Sequence, residues 1–241
     1  MQSLLITTPQ RVIKIPYTPG AFREALRERR KIKEVKNDPF FRHFLPHYIF
    51  VGPISSTISL PLFSASTDTL LIDAFFNNAF YDCTSWKLTP LDRLVDPIFF
   101  EFMRKNNIND TMWLKFTSTN FIPESSAHGD LHAKNILIED GQVRLIDWSN
   151  YSVRSSRYFD LINFYVTQPE RSWIHLLERL YNTPTMIPSF GQFGVTLSLL
   201  TAFAIWRTGK ELRELIAFHN MDSRAIYKYT VFLRSLQMRV I

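Results

Sequence analysis

Short β-type apolar runs fill the start and the middle of the chain, while the remainder repeats its apolar residues at helical spacing. Residues 3–8 and 11–15 are two β-rich runs split by Pro9-Gln10, which predicts a hairpin. In the second run, alternation turns Lys14 to the face opposite Ile13 and Ile15. Pro19 and Gly20 introduce a helix over residues 21–36, free of internal Pro and Gly. Phe22, Ala25, Leu26, Ile32 and Val35 form its apolar stripe. Glu28 lies nearest the edge of that stripe, Glu24 next, and Glu34 almost opposite.

Two further strands are predicted over 48–52 and 57–63, divided by Gly52-Pro53. Asp68 reads as the N-cap of a helix over 70–80, and residues 91–105 carry a second helical pattern. Residues 135–139 and 143–146 read as the strands of a hairpin turned by Asp140-Gly141. Helices follow over 161–166, 171–180, 195–206, 211–218 and 222–238, the first capped by Asp160. The uncharged stretch 181–206 is interrupted by Pro184, Pro188 and Gly194, and its continuous part is well short of the about 20 residues a spanning helix needs. Strands and helices are mixed up to residue 146, and only helices are predicted beyond Asp160.

The candidate chemistry sits around the central hairpin, in His128-Gly-Asp-Leu-His-Ala-Lys-Asn135 and Leu145-Ile-Asp-Trp148. Asp130, Asn135 and Asp147 are delivered to one end of the ribbon. Phosphoryl transfer needs a carboxylate to orient or deprotonate the attacking hydroxyl, and oxygen ligands for the magnesium that neutralises the phosphates. Asp130 suits the first task, Asn135 and Asp147 the second. A single Asp near a turn is more often a cap or turn residue, so the weight rests on the joint spacing. Zinc at His128 and His132 is disfavoured, because no third His or Cys lies nearby.

At these residues the chain resembles the kinase-like superfamily, and more closely its aminoglycoside phosphotransferase and choline kinase branch. There the catalytic loop reads His-Gly-Asp with Asn five residues on, the metal-binding Asp sits in Ile-Asp-Trp or Ile-Asp-Phe, and an Asp-Leu pair follows, here Asp160-Leu161. Gly129 and Trp148 point away from eukaryotic protein kinases, with their His-Arg-Asp and Asp-Phe-Gly. The resemblance is weak from Lys14 and strong from His128 to Leu161. It implies a protein-kinase-like, two-lobed α+β fold with a reduced N-terminal β lobe over 1–66 and a helix-rich C-terminal lobe over 67–241. It further implies an enzyme that uses ATP and Mg2+ to phosphorylate an acceptor hydroxyl. Asp130 would orient or deprotonate the hydroxyl, and Asn135 and Asp147 would hold the metal. Lys14, steadied by Glu28 with Glu24 as runner-up, would hold phosphates. His128 and Asp160 would brace the loop, and the adenine-binding hinge would fall near 63–67.

Charge bears on the acceptor. Of a net charge of +6, an excess of five lies from Asn150 onward, eleven Lys or Arg against six Asp or Glu. If that bias reaches the acceptor pocket, an anionic acceptor is favoured, such as a phosphorylated sugar, a lipid headgroup or a lipopolysaccharide-core heptose, whose kinases share the superfamily. Solvated surface charge is the equal alternative. The basic residues of the 21–36 helix lack interleaved aromatics, so nucleic acid is not an expected partner, and peripheral contact with acidic lipid is an alternative of the same weight as nucleic acid. One cysteine, Cys83, excludes an intramolecular disulfide, and with no secretory pattern at the start a cytoplasmic protein is expected. One departure stands out: residues 1–19 contain no Gly, where the resemblance calls for a glycine-containing phosphate loop. That leaves a second reading, a catalytically weak kinase-like scaffold that holds a protein partner.

Overall fold

The computed structural model describes residues 3–51, 57–61, 64–65, 69–108, 110–167, 172–183, 186–217 and 221–240. In chain order its strands are β1 (Ser3–Thr7), β2 (Arg11–Pro16), β3 (Ile49–Val51), β4 (Thr57–Pro61), β5 (Ser64–Ala65), β6 (Leu88–Pro90), β7 (Phe121–Pro123), β8 (Ser125–Ala127), β9 (Ile136–Glu139), β10 (Gln142–Leu145) and β11 (Ser152–Ser155). The helices are α1 (Pro19–Val35), α2 (Thr69–Ala79), α3 (Ile98–Lys105), α4 (Asp110–Thr119), α5 (Arg157–Val166), α6 (Trp173–Asn182), α7 (Pro188–Gln192), α8 (Leu197–Ala217) and α9 (Ser223–Val240). Two compact units result, residues 1–84 with 125–164, and residues 85–124 with 165–241. The predicted Gly52-Pro53 division, the Asp68 cap and all of the expected hinge except Ser64 and Ala65 lie outside the described residues.

The first unit opens with an antiparallel sheet in the order β1-β2-β4-β3. Thr8 closes the first hairpin, its N–H donating to Arg11 O at 2.8 Å and its hydroxyl accepting from Arg11 N at 3.0 Å. Lys14 pairs with Leu5 on one side and Ile58 on the other, and Phe50 pairs with Ile58. Directly opposed residues share a face, so these four form one row across the sheet. β1 has β2 as its only strand neighbour among the described residues, and Leu4, Leu5 and Ile6 are exposed.

α1 starts at Pro19, whose fixed φ suits a first turn, with the Thr18 side chain accepting from Ala21 N at 3.2 Å. Its buried stripe is Ala21, Ala25, Glu28, Ile32 and Val35. Phe22 and Leu26, expected in the stripe, are only half-buried. The helix is rotated so that Glu28 lies inside the stripe rather than at its edge. Past its end, Asp38 accepts from Phe40 N at 2.8 Å and Phe41 N at 2.7 Å, and Phe41 packs edge-on against Trp148.

β9 and β10 form the expected hairpin, and β5 joins the other edge of β9. Asp140 (φ 50°) and Gly141 (φ 73°) both take the left-handed conformation that a two-residue hairpin turn requires. α5 begins at Arg157, so Asp160 lies within its first turn instead of capping it.

In the second unit β6 and β7 pair, and helices supply the rest. The helix expected over 91–105 is divided into a 3-10 turn, Leu91–Arg93, and α3. Pro97 lacks an N–H and disfavours a helical Asp96, whose side chain instead accepts from Ile98 N at 3.1 Å. The helices expected over 195–206 and 211–218 are one continuous α8. Its Gly209 is a packing position: a Cβ there would lie 3.2 Å from the Asp96 Cβ and 3.4 Å from the Phe99 Cβ. Asp222 caps α9 by accepting from Ala225 N at 2.8 Å. Among the described residues no helix is long and apolar enough to cross a membrane.

Candidate active site

Every residue singled out for chemistry lies in the first unit, and most are joined by hydrogen bonds. β8 leads into the 128–135 loop, which is gripped at its start by Asp160. One carboxylate oxygen accepts from His128 N at 2.6 Å and the other from Gly129 N at 2.8 Å. Both donors and the acceptor are buried, so these charge-assisted bonds are strong. Gly129 has φ 81°, and a Cβ on it would overlap the carbonyl oxygen of Asn150. The loop therefore passes against the Trp148–Asn150 turn at a distance only glycine permits.

His128 is fully buried against the Trp148 ring, with centroids 4.6 Å apart. Its Nε2 is 2.8 Å from Ile146 O; a carbonyl only accepts, so Nε2 donates. Nδ1 then accepts from Asp130 N at 3.4 Å. Asn135 donates its Nδ2 to Asp130 O at 2.9 Å, which leaves Oδ1 as the side-chain atom for a cation. Its backbone carbonyl accepts from Ile146 N at 3.1 Å. The loop and the β10 exit are thus laced together immediately before Asp147. That residue is itself left-handed (φ 61°, ψ 61°), and its Oδ1 accepts from Ser149 Oγ at 3.1 Å.

Lys14 Nζ stands 3.5 Å from Glu28 Oε2, while Glu24 stands 3.9 Å from Arg27. Burial pulls the Lys14 ammonium down, but Glu28, Asp147 and Glu24 together lift it above its ordinary value. Burial also raises Glu28, to about 7; Lys14 offsets part of this, and Asp147 and Glu24 add to it. Beside the Lys14–Glu28 pair, and with Glu24 shared with Arg27, the Asp147 carboxylate is the negative group that a divalent cation would balance. Asn135 Oδ1 and Asp147 are hard oxygen donors of the kind magnesium takes, one or two from protein with phosphate and water completing the shell. Zinc is not supported, because both ring nitrogens of His128 are committed and no group of three or more His, Cys, Asp or Glu that could hold a metal occurs among the described residues.

The Glu28 value sets a pH dependence. Its folded value lies above the ordinary carboxyl range, so the folded state binds the proton more tightly than the unfolded chain. Its contribution to stability is complete below that range and is lost as pH rises through about 7. Glu28→Gln cannot titrate, so the wild-type melting temperature is expected to fall by several degrees relative to the variant's from about pH 5 to about pH 8. Parallel melting curves for the two proteins across that range would refute the assignment.

Several supporting residues have no local sequence signature. Asn163, one turn beyond Asp160 and fully buried, donates to Leu131 O at 2.8 Å. Arg27 donates to Asn150 Oδ1 at 3.1 Å, and the Tyr151 hydroxyl donates to Asp38 at 2.7 Å. α1, through Arg27, and the turn beyond its end, through Asp38, are thereby both fastened to the segment after Asp147. Burial would raise the Asp38 carboxyl, but hydrogen bonds from Ser126, Phe41, Tyr151 and Phe40 hold it below its ordinary value. Arg157 lies over the Phe40 ring at 4.0 Å and donates to Ala79 O at 3.0 Å. A buried Asn one helical turn from Asp160 is the one signal here that sequence alone offers.

No family model and no curated protein matches the chain. Solved structures do. A candidate fructosamine-3-kinase from Haemophilus somnus 129PT superposes with a TM-score of 0.55 at 10% identity, over 98% of this chain and 91% of its own. The choline kinase LicA from Streptococcus pneumoniae gives 0.53 at 11% identity, over 98% and 90%. The aminoglycoside phosphotransferase APH(4)-Ia gives 0.53 at 12% identity, over 97% and 93%. At such identities the likeness is one of fold. The chain has the α+β kinase-like fold of these structures.

Proposed function

We propose that the protein is an ATP- and Mg2+-dependent phosphotransferase that phosphorylates a hydroxyl of a small molecule or sugar. The observation that carries this reading is the hydrogen-bonded lacing of Asp130, Asn135 and the approach to Asp147, with Lys14 and Glu28 paired beside them. Magnesium, held by Asn135 and Asp147, would neutralise phosphate charge and orient the terminal phosphoryl group. Asp130 orients the acceptor hydroxyl and takes its proton as the oxygen bonds to phosphorus and the bond to the leaving diphosphate breaks. Lys14 pairs with the phosphates, and Glu28 keeps that ammonium in place. Positioning and charge neutralisation carry the rate enhancement.

Neighbours of this fold are described as acting on choline, fructosamine and aminoglycosides, which supports a small-molecule acceptor. Where part of the cationic excess after Asn150 reaches the acceptor pocket, it favours an anionic acceptor, and a lipopolysaccharide-core heptose is the one we put first, handled by a cytoplasmic protein working at a membrane surface. A scaffold role is the second reading, and one observation favours it: residues 1–19, which include β1 and β2, contain no Gly, whereas the resemblance calls for a glycine phosphate loop before the Lys14 strand.

Calorimetric titration of ATP with and without magnesium, into wild type and Asp147→Asn, separates the two. Magnesium-dependent binding is expected in the wild type and a loss of at least about tenfold in the variant, the usual size when a ligand-sphere group is removed. No wild-type binding at millimolar nucleotide would sink the enzyme reading.

A further inference from the structure

The cationic excess of the second half has a specific address. α9 spans 18 residues with Arg224, Lys228, Arg234 and Arg239 and no Asp or Glu. Its inner side buries Tyr229, Phe232, Leu233 and Leu236. Glu211 of α8 meets that inner side, accepting from the Tyr229 hydroxyl and, at 2.7 Å, from Trp173 Nε1, so this carboxylate is turned away from the outer face. On the outer side Tyr227, Val231 and Met238 are 71%, 47% and 80% exposed. Helical spacing places these three in one narrow apolar stripe, with Arg234 along one flank and Arg224, Lys228 and Arg239 along the other. All four cations are exposed, and Arg239 is held by a 3.0 Å bond to Asn182 Oδ1.

We propose that the outer face of α9 docks on an anionic lipid membrane. The inference is independent of the phosphotransfer reading. A helix lying in the plane of a bilayer interface has this distribution, an apolar line that enters the acyl boundary and cations that meet lipid phosphate. A second copy of the chain does not fit, because a two-fold contact would set four cations against four. Nucleic acid fits less well than lipid, because of the three stripe residues only Tyr227 offers a ring for a base to stack on, and successive bases need successive rings. Each cation brought to an acidic leaflet strengthens partitioning roughly fivefold, and that gain is screened by salt.

The test is co-sedimentation of the full chain with vesicles of phosphatidylcholine alone and of phosphatidylcholine mixed with phosphatidylserine. Binding is expected only to the mixed vesicles and is expected to weaken as salt is raised. Arg224→Glu with Lys228→Glu should abolish it, and Val231→Ser with Met238→Ser should weaken it at least about fivefold, both with unchanged melting temperature. Retention of mixed-vesicle binding in both double variants would overturn the proposal. So would equal binding to both vesicle types, no binding to either, or tighter binding to a duplex or single-stranded oligonucleotide than to the mixed vesicles.

Discussion

Asp160→Ala is expected to lower the melting temperature by about 10 °C, the equivalent of about 4 kcal/mol for a chain of this size. The residue touches no proposed substrate atom, and its effect comes from two backbone N–H groups. His128 N and Gly129 N are served by its two carboxylate oxygens, and the site is closed to water. Removing a buried acceptor costs the desolvation of each stranded donor, not merely the net value of a hydrogen bond. Asp160→Asn keeps one acceptor oxygen but turns an NH2 group toward the second donor, so its melting temperature should fall between the two. Thermal unfolding followed by circular dichroism measures all three. An alanine variant within about 2 °C of wild type would show that the loop does not depend on Asp160.

Gly129→Ala should be nearly as damaging to stability and, on the proposed phosphotransferase reading, more damaging to turnover. A left-handed alanine costs roughly 1–2 kcal/mol, and the added methyl overlaps the Asn150 carbonyl oxygen, which is backbone and cannot rotate away. Either the 128–135 loop or the 148–150 turn must shift, and the two carry Asp130 and adjoin Asp147 respectively. A displacement of that order lowers kcat by about 100-fold even in protein that remains folded. Steady-state kinetics with a responsive acceptor, at a temperature where circular dichroism shows a folded variant, isolates this from simple unfolding. Wild-type kcat in the folded variant would mean that the loop does not run against Asn150 as described.

Local chemistry makes much of the fold legible. Pro19 marks the start of α1, two residues before the expected 21, and Asp140-Gly141 turns the β9–β10 hairpin, because a first helical turn and a left-handed turn each need only adjacent residues. The differences have nonlocal causes. The break expected between residues 206 and 211 is absent: α8 runs on through Gly209, a glycine whose missing side chain lets α3 approach closely. α1 is rotated from its apolar pattern because Glu28 is drawn inward toward Lys14 on another element. Pro97 is the exception, a local signal that the apolar periodicity of 91–105 obscures. In the candidate site, the motif residues stand out by type and spacing. Their supports, such as the Asp38–Tyr151 bond across more than a hundred residues, are invisible to any window of sequence.

The left-handed backbone at position 147 narrows the histories open to this chain. Among L-residues Asp and Asn enter that conformation readily, glycine does so freely, and most others are strained there. A lineage that gave up chemistry while keeping the fold would find Asn and Gly the easy exits from Asp, one atom type or one side chain away and at little cost in folding. The same limit guides protein engineering. Asn removes the charge and leaves the turn intact, whereas Ala confounds a lost ligand with a distorted backbone.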